Sequence, residues 1–446
     1  MNRSDLIFYL LGKRYRFDLA KMVRFVTASQ YWTEEQIYEY QLSMVKKIIE
    51  HAYKSVPYYS ALMRKMGMKP EDLKSLDDLK AFPILRKETI QNDFQSFLAR
   101  GYQKYYPITR STGGTTGVPF KYYNDIASWG LNWATKIRTF NWGGYKLGQD
   151  RIAILKGGSL SRKGKFSLGT RFWRYMQLNY TIDIMQMSEA DIVRYLAEIR
   201  KRSIRFIRGY PSALLTLARS LNQQSECIPM KGIFTTAEML YDDHREEIQK
   251  AFGREVTDAY GCGEGMAGAS QCEVHAAYHV NIETSILEII GKDGMCSQPG
   301  EEGEIVVTSL NDFAMPFIRY APGDLAVAKA GTCSCGRQLP LIEKINGRAS
   351  DLIKLPNGRI LNGLSIPFEA LTESLQQFQL VQEEDDRLVL YVVPKGSFND
   401  VVRARLQNIL INLAGSGVRV EVQAVTEIKQ TVSGKRRYII SRKKDG

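Results

Sequence analysis

The sequence predicts an α/β protein in which a large N-terminal domain with several sheets precedes a small α+β domain. Short apolar strands alternate with amphipathic helices between residues 101 and 346, a pattern typical of buried sheets covered by helices. Residues 1–100 are mostly helical in pattern, and the last part of the chain mixes helix and strand signals. We therefore expect domains at 1–346 and 352–446, joined by a hinge at 347–351.

Helix signals dominate the first part of the chain. Thr33 is a suitable N-cap, and apolar residues recur after it at helical spacing, at Leu42, Val45 and Ile48. A second, short helix is expected to begin at Ser75.

The middle of the chain predicts a regular alternation of strands and helices. Strands are expected at 151–155, 204–207, 232–235, 255–260 and 303–308. Helices are expected after Ser188, from Pro211, and at 241–252 before Gly253. Towards the C-terminus, strands are expected at 388–393 and 418–422 and a helix at 401–413.

Composition limits the classes of function. The 446 residues are 44% hydrophobic with a formal net charge of +13, and no apolar run reaches the roughly 18 residues that span a membrane. Six unevenly spaced cysteines do not suggest a disulfide scaffold, so a reducing, cytoplasmic location is expected. The basic residues lack the interleaved aromatic residues of RNA-binding strands. A solvated basic surface is the favoured interpretation, contact with an anionic membrane surface is the alternative, and nucleic acid is not an expected partner.

A stretch rich in glycine and hydroxyl groups, residues 111–119, is a candidate phosphate-binding loop. Its glycines let the backbone approach a ligand closely, and successive N–H groups can form an anion site. It lacks the lysine and the spacing of a Walker loop. A flexible surface loop is an equally weighted alternative for this stretch taken alone. The candidate residues are Ser111, Thr112, Gly113, Gly114, Thr115, Thr116 and Gly117.

Four further segments are candidates for contacts with a nucleotide, and three of them also have a purely structural explanation. Residues 235–238 follow a strand, and their structural explanation is a cap for the next helix. Residues 259–264 offer a ring that can stack on a base and a carboxylate of the kind that Mg²⁺ prefers. Residues 319–324 place an aspartate at a turn, where it could simply bond its own backbone. Residues 431–435 end in a lysine that could supply positive charge to a nucleotide, and its structural explanation is the edge of a basic tail.

Together and in this order, the motifs resemble those of adenylate-forming enzymes of the acyl-CoA synthetase superfamily, most nearly the branch of phenylacetate–CoA ligase and CapK. The resemblance implies ATP as substrate, an adenylation domain and a mobile C-terminal lid. It assigns the phosphates to the loop at 111–117, the adenine pocket to Thr236, Ala237 and Glu238, ring stacking to Tyr260 beside Gly261, and Mg²⁺ to Glu264. It also assigns the ribose to Asp324 beside Tyr320, a nucleotide contact to Arg348, and the catalytic positive charge to Lys435.

Two positions depart from the family pattern. Val118 stands where the family often has a lysine, and Ser350 stands where an acidic residue is usual. By resemblance, the acyl pocket is expected between residues 151–158, residues 209–211 and the strand before Tyr260.

Cysteines and histidines form a candidate metal site. Thiolates and an imidazole suit tetrahedral Zn²⁺, and some members of the branch carry a zinc site in the same segments. The expected ligands are Cys272, His279, Cys333 and Cys335, with His275 as the rival of His279. Four protein ligands would make the zinc structural. Reduced thiols without a metal are the alternative.

The predicted reaction joins a small carboxylic acid to AMP and then transfers the acyl group. The acceptor is expected to be a sugar hydroxyl or amine of a surface polysaccharide, as in the CapK-like half, because residues 377–382 resemble that half more. An aryl- or acyl-CoA ligase that uses coenzyme A is the alternative. A non-catalytic scaffold is a second alternative, against which stand four catalytic side chains: Glu264, Asp324, Arg348 and Lys435.

Overall fold

The computed structural model of the chain describes residues 3–112, 120–156, 176, 178–183, 189–348, 353–357, 360–361, 375–394, 396, 398–415, 417–429 and 437–441. In these residues the helices are α1 (Arg3–Tyr15), α2 (Leu19–Ser29), α3 (Glu34–Ser55), α4 (Pro57–Lys65), α5 (Lys87–Asn92), α6 (Ile126–Trp142), α7 (Glu189–Lys201), α8 (Pro211–Gln223), α9 (Asp242–Phe252) and α10 (Asp400–Ala414).

The described strands run in chain order from the phosphate-loop region to the C-terminal domain. They are β1 (Ile108–Thr112), β2 (Phe120–Asn124), β3 (Ile152–Lys156), β4 (Asn179–Asp183), β5 (Phe206–Gly209), β6 (Gly232–Thr236), β7 (Val256–Cys262), β8 (Ala267–Gln271), β9 (Tyr278–Val280), β10 (Ser285–Ile290), β11 (Glu302–Ser309), β12 (Asp324–Lys329), β13 (Leu341–Arg348), β14 (Ile353–Lys354), β15 (Ile360–Leu361), β16 (Leu375–Glu384), β17 (Arg387–Pro394), β18 (Arg419–Ala424) and β19 (Ile439–Ser441).

The N-terminal helices form as their caps and periodicity predict. Thr33 and Gln36 make a reciprocal capping box at the start of α3, which confirms the predicted N-cap. The apolar face of α3 is buried at Val45, Ile48 and Ala52. The helix expected from Ser75 is a short 3₁₀ segment at Leu76–Ala81.

One sheet of eleven strands organises the N-terminal domain, in the order β10-β11-β12-β13-β9-β8-β7-β6-β5-β3-β4. The strands from β4 through β3, β5 and β6 to β7 pair in parallel, and the rest pair antiparallel. Because helices cover the parallel part, its central strands have fully buried apolar side chains, as at Ile207 and Ile233. The mixed α/β class is confirmed, and the predicted strands are displaced by only one or two residues.

A separate sheet in the order β18-β17-β16-β19 forms the C-terminal domain, with α10 beside β18. Its Tyr438 ring reaches the N-terminal domain, 6.1 Å from the ring of Tyr241 and 5.5 Å from that of His244. No helix in the described part of the chain is both long and apolar enough to cross a membrane.

Candidate active site and metal centre

Two cavities open near the carboxyl ends of β5, β6 and β7, the edge at which parallel sheets usually bind ligands. Their volumes are about 150 Å³ and about 350 Å³. They share a wall that contains Ala237, Tyr260 and Gly261. The smaller cavity is lined further by Glu238 and Asp324. The structure thus brings into one place residues from three separate motifs predicted to bind the nucleotide. Thr236 lines the larger cavity beside them.

A tyrosine positions the aspartate of the smaller cavity. The Tyr260 hydroxyl donates a hydrogen bond of 2.7 Å to Oδ2 of Asp324. Burial, followed by the nearby Asp324 charge, raises the pKa of Tyr260 well above its usual value, so this group remains a hydroxyl donor at physiological pH. Asp324 begins β12 directly after Gly323, whose φ of +84° favours glycine. The aspartate therefore has a defined orientation, with one oxygen held by Tyr260.

The segment after β6 does not cap the helix that follows it. Ala237 has a φ of +70°, and Oε2 of Glu238 accepts a 3.0 Å hydrogen bond from the backbone N–H of Ser212. Ser212 lies in the first turn of α8, where a carboxylate also interacts favourably with the helix dipole. The next helix, α9, has Tyr241 as its N-cap, without a side-chain hydrogen bond. Glu238 therefore ties the wall of the smaller cavity to α8.

Residues 113–119 of the candidate phosphate loop lie outside the described residues, but the strands on either side are described. Thr112 at the end of β1 pairs with Phe120 at the start of β2. Asn124 on β2 donates a 3.2 Å hydrogen bond from Nδ2 to the carbonyl oxygen of Gly263. This bond fixes the turn between β7 and β8, which carries Glu264, against the strand that leaves the loop.

Glu264 is buried, and its Oε2 accepts a 3.5 Å hydrogen bond from the thiol of Cys262. Gly263 is required beside it, because a Cβ atom there would overlap the Tyr122 hydroxyl oxygen. The carboxylate is a buried, hard oxygen donor in the turn that Asn124 of β2 holds, and this chemistry fits Mg²⁺.

Tyr320 does not line either cavity, contrary to its predicted role beside the ribose. The residue is 1% exposed, and its ring lies 5.1 Å from that of Phe317 and 6.5 Å from that of Phe120. Tyr320 therefore supports β2 from within the core.

The two remaining predicted catalytic residues are only partly placed. The backbone of Arg348 pairs with that of Asp324 at the end of β13. The side chain of Arg348, and the whole of Lys435, lie outside the described residues. Gly347, which precedes Arg348, lines the smaller cavity.

Asp258 is a cavity residue that the sequence analysis did not select. Its two carboxylate oxygens accept hydrogen bonds from the hydroxyls of Thr235, at 2.5 Å, and Tyr278, at 2.7 Å. This one buried side chain of β7 is thus joined to the neighbouring strand β6 and to β9, which lies beyond β8. A charged residue inside a predicted buried strand is the signal that could have identified it, since a buried charge requires partners.

The four predicted metal ligands lie together. The nearest ligand atoms of Cys272, His279, Cys333 and Cys335 are all within 4.8 Å of one another. The Cys272 and Cys333 sulfur atoms are 3.8 Å apart, and Sγ of Cys335 is 3.5 Å from Nε2 of His279. Three thiols and one imidazole at these separations are a suitable donor set for tetrahedral Zn²⁺. The cluster fits the metal chemically, and its four donors leave no position for a reactant.

His279, not its rival, is the histidine in this cluster. Nε2 of His275 lies 3.3 Å from the Glu255 carboxylate instead. His279 lies on β9 next to Tyr278, and successive side chains of a strand point to opposite faces. Since Tyr278 lines the smaller cavity, the thiol cluster lies on the other face of β9, away from that cavity.

The larger cavity has walls that differ from those expected for the acyl pocket. Tyr210 and the strand before Tyr260 line it, as predicted. Residues 152–156 do not line this cavity. Residues of α6 form part of its wall, although this helix was not expected to contribute. Two basic side chains on these walls, Lys136 and Arg208, were not selected from the sequence because neither belongs to a motif.

Known proteins with similar sequences belong to the group that the motifs resemble. The family model of the CapK C-terminal domain matches residues 353–442. Phenylacetate–coenzyme A ligase of Escherichia coli (strain K12) is 27% identical over 77% of this chain and 77% of its own length. Protein CapK of Staphylococcus aureus is 22% identical over 91% of this chain and 89% of its own length.

Solved structures share the fold. A 2-hydroxyisobutyryl-CoA ligase in the postadenylation state, in complex with R3-HIB-AMP, has a TM-score of 0.71 at 19% identity and covers 92% of this chain and 91% of that chain. An anthranilate CoA ligase with anthranoyl-AMP has a TM-score of 0.52 at 15% identity, covering 74% of this chain and 64% of that chain. The chain is thus a homologue of the phenylacetate–coenzyme A ligases and CapK, and it has the fold of the adenylate-forming CoA ligases.

Proposed function

We propose that this chain is an AMP-forming carboxylate ligase that activates an acid with ATP and then transfers the acyl group. The observation that carries the proposal is the wall shared by the two cavities at Tyr260 and Gly261. A nucleotide in the smaller cavity and an acid in the larger one would meet at that wall. Holding two reactants in this way removes much of the entropic cost of their reaction.

In the proposed step, a carboxylate oxygen of the acid attacks the α-phosphorus of ATP. The bond to the bridging oxygen of the β-phosphate breaks, and pyrophosphate leaves with the electron pair. Asp324 accepts hydrogen bonds from the ribose hydroxyls, and the Tyr260 ring packs on the base. Arg348 and Lys435 supply positive charge where negative charge develops in the transition state. Mg²⁺ held by Glu264 would neutralise phosphate charge.

We assign a structural role to zinc in the cluster of Cys272, His279, Cys333 and Cys335. Its position on the opposite face of β9 from the smaller cavity supports this role. The metal would join the loop between β12 and β13 to β8 and β9. Loss of the metal is therefore expected to reduce stability first and activity second.

The favoured acceptor is a hydroxyl or amine of a surface saccharide. Two similarities support this choice: the CapK C-terminal domain model matches the lid of the proposed enzyme, and protein CapK is similar along 91% of this chain. Coenzyme A is the second candidate, supported by relatives that are phenylacetate–coenzyme A ligases at 27 and 28% identity.

ATP–pyrophosphate exchange separates the adenylation step from the choice of acceptor. A panel of aryl, fatty, hydroxy and dicarboxylic acids should include at least one that supports exchange. Rapid release of AMP on addition of coenzyme A, with thioester formed, would reverse the order of the two acceptors. A folded protein that exchanges with no acid would favour the scaffold alternative.

A further inference from the structure

Two basic side chains lie in the larger cavity. Lys136 is on the face of α6 that also carries Asn132, Thr135 and Thr139, and Arg208 is near the end of β5. Residues three and four apart on a helix share a face, so this whole face of α6 lines the cavity. Arg208 and Lys136 are therefore held by two different elements that meet at one site.

Neither cation has an anionic partner in the part of the chain that the structure describes. The Arg208 guanidinium lies 5.2 Å from the centre of the Phe140 ring, and Lys136 Nζ lies 5.9 Å from that of Trp133. The described lining of the cavity includes no aspartate or glutamate. The Lys136 side chain is exposed and Arg208 is half-buried, so both charges are accessible to a ligand that enters the cavity, and no described acidic side chain of the lining compensates them.

The other basic residue of α6 shows what a purely structural cation looks like in this chain. Arg138 is 1% exposed, forms an ion pair with Glu283 and donates a 2.8 Å hydrogen bond to Asn281. Its charge is fully compensated by the protein. Lys136, two residues earlier on the same helix, has no such partner among the described residues and lines the cavity instead.

Arg208 begins on the side of the larger cavity away from the wall that the two cavities share. The wall shared with the smaller cavity is formed at β6 and β7, whereas Arg208 is on β5, two strands from β7. Neighbouring strands are about 4.8 Å apart, so Arg208 originates roughly 10 Å from the strand that carries Tyr260. A group bound there would belong to the far end of the acid.

The protein atoms around the Lys136 ammonium and, as smaller causes, the charges of Arg208 and Arg110 lower the pKa of Lys136, although the residue as a whole is exposed. A bound anion would reverse this shift by favouring the protonated amine.

We propose that the acid activated by this chain carries a second carboxylate, which Lys136 and Arg208 bind at the far end of the larger cavity. This inference rests on the proposed adenylation function and specifies its substrate class. The polar lining around the cations, including Thr135, Thr139 and Ser270, also suits a polar tail better than a plain phenyl or fatty chain. Arg208 can form two parallel hydrogen bonds with a carboxylate, which adds orientation to charge.

The test compares acids that differ only in the charge of the far group. Glutarate is paired with its monoamide, and terephthalate is paired with 4-carbamoylbenzoate, in ATP–pyrophosphate exchange at pH 7. We expect kcat/KM for the diacid of the better pair to exceed that for its monoamide by about 10- to 100-fold, the range for a hydrogen bond to a charged group. Lys136→Gln should reduce this ratio to within about threefold of unity, and Lys136→Arg should retain it.

The control variant is Lys146→Gln, an exposed position outside both cavities, which should leave the ratio unchanged. The wild-type comparison requires no variant, so a folding defect in Lys136→Gln does not prevent the test. Equal use of diacids and monoamides, or exchange only with acids that lack a second anion, would overturn this inference while leaving the adenylation proposal intact. Absence of exchange with every acid in a folded protein would instead overturn both.

Discussion

The hydrogen bond from Tyr260 to Asp324 gives the most specific prediction of the proposed site. Tyr260→Phe removes the hydroxyl that donates to Oδ2 at 2.7 Å but keeps the ring. A hydrogen bond to a charged group contributes about 1.5–3 kcal/mol. If half or more of that energy serves to orient Asp324 towards the ribose, the KM for ATP should rise by about 10-fold, because 1.4 kcal/mol corresponds to a factor of ten. The value of kcat should change by less than about threefold, since the ring and the phosphate contacts remain.

The assay is ATP–pyrophosphate exchange at a saturating concentration of the acid, with ATP varied. Tyr278→Phe is the matched control, because it removes the other tyrosine–aspartate hydrogen bond of the smaller cavity, 2.7 Å to Asp258. That bond joins strands, so its loss should lower the free energy of unfolding by about 1–3 kcal/mol with a smaller effect on the KM for ATP. An unchanged KM for ATP in Tyr260→Phe, or equal effects of the two variants, would refute the assignment of Asp324 to the ribose.

Three further predictions address the metals and the response to pH. Cys333→Ala should abolish stoichiometric zinc and lower the melting temperature, whereas His275→Gln should retain zinc; metal analysis beside thermal unfolding distinguishes them. Glu264→Gln should lower exchange activity by about 10- to 1,000-fold and weaken its dependence on Mg²⁺, and activity that is unchanged at limiting Mg²⁺ would contradict the assignment. Burial lowers the pKa of His244 to about 3, so below its unfolded pKa of about 6.5 the unfolded chain binds a proton that the folded chain does not. Stability should therefore fall by about 1.4 kcal/mol per pH unit as the pH drops from 6.5 towards 3, and His244→Gln should flatten this slope in denaturant titrations.

Sequence reasoning succeeded where a local pattern determines the location of a side chain. Segments that follow parallel strands meet at one edge of the sheet, so the convergence of Ala237, Glu238 and Tyr260 could be expected from their order alone. Asp324 reaches the same cavity from an antiparallel part of the sheet, and its placement was expected only because the motif resembles a known family. Tyr320 belongs to the same motif but is buried, since neighbouring residues of one segment face different surroundings.

The remaining features depend on tertiary contacts that no local pattern contains. Spacing alone could not choose between His275 and His279, because the choice depends on which of the two side chains meets the loop that carries Cys333. Lys136 is an ordinary lysine of a helix until β5 is placed opposite it. Residues 113–119 and Lys435 lie outside the described residues, so their assignments remain predictions.

The central claim is that this chain forms an acyl-adenylate in the two joined cavities. The most direct measurement is ATP–pyrophosphate exchange by the wild-type protein and by Lys435→Ala across the acid panel, with zinc content determined on the same samples. We expect exchange with at least one acid, strongest for a diacid, and a loss of about 100-fold or more in the variant. A folded wild-type protein with bound zinc that exchanges with no acid, or a variant as active as the wild type, would contradict the account.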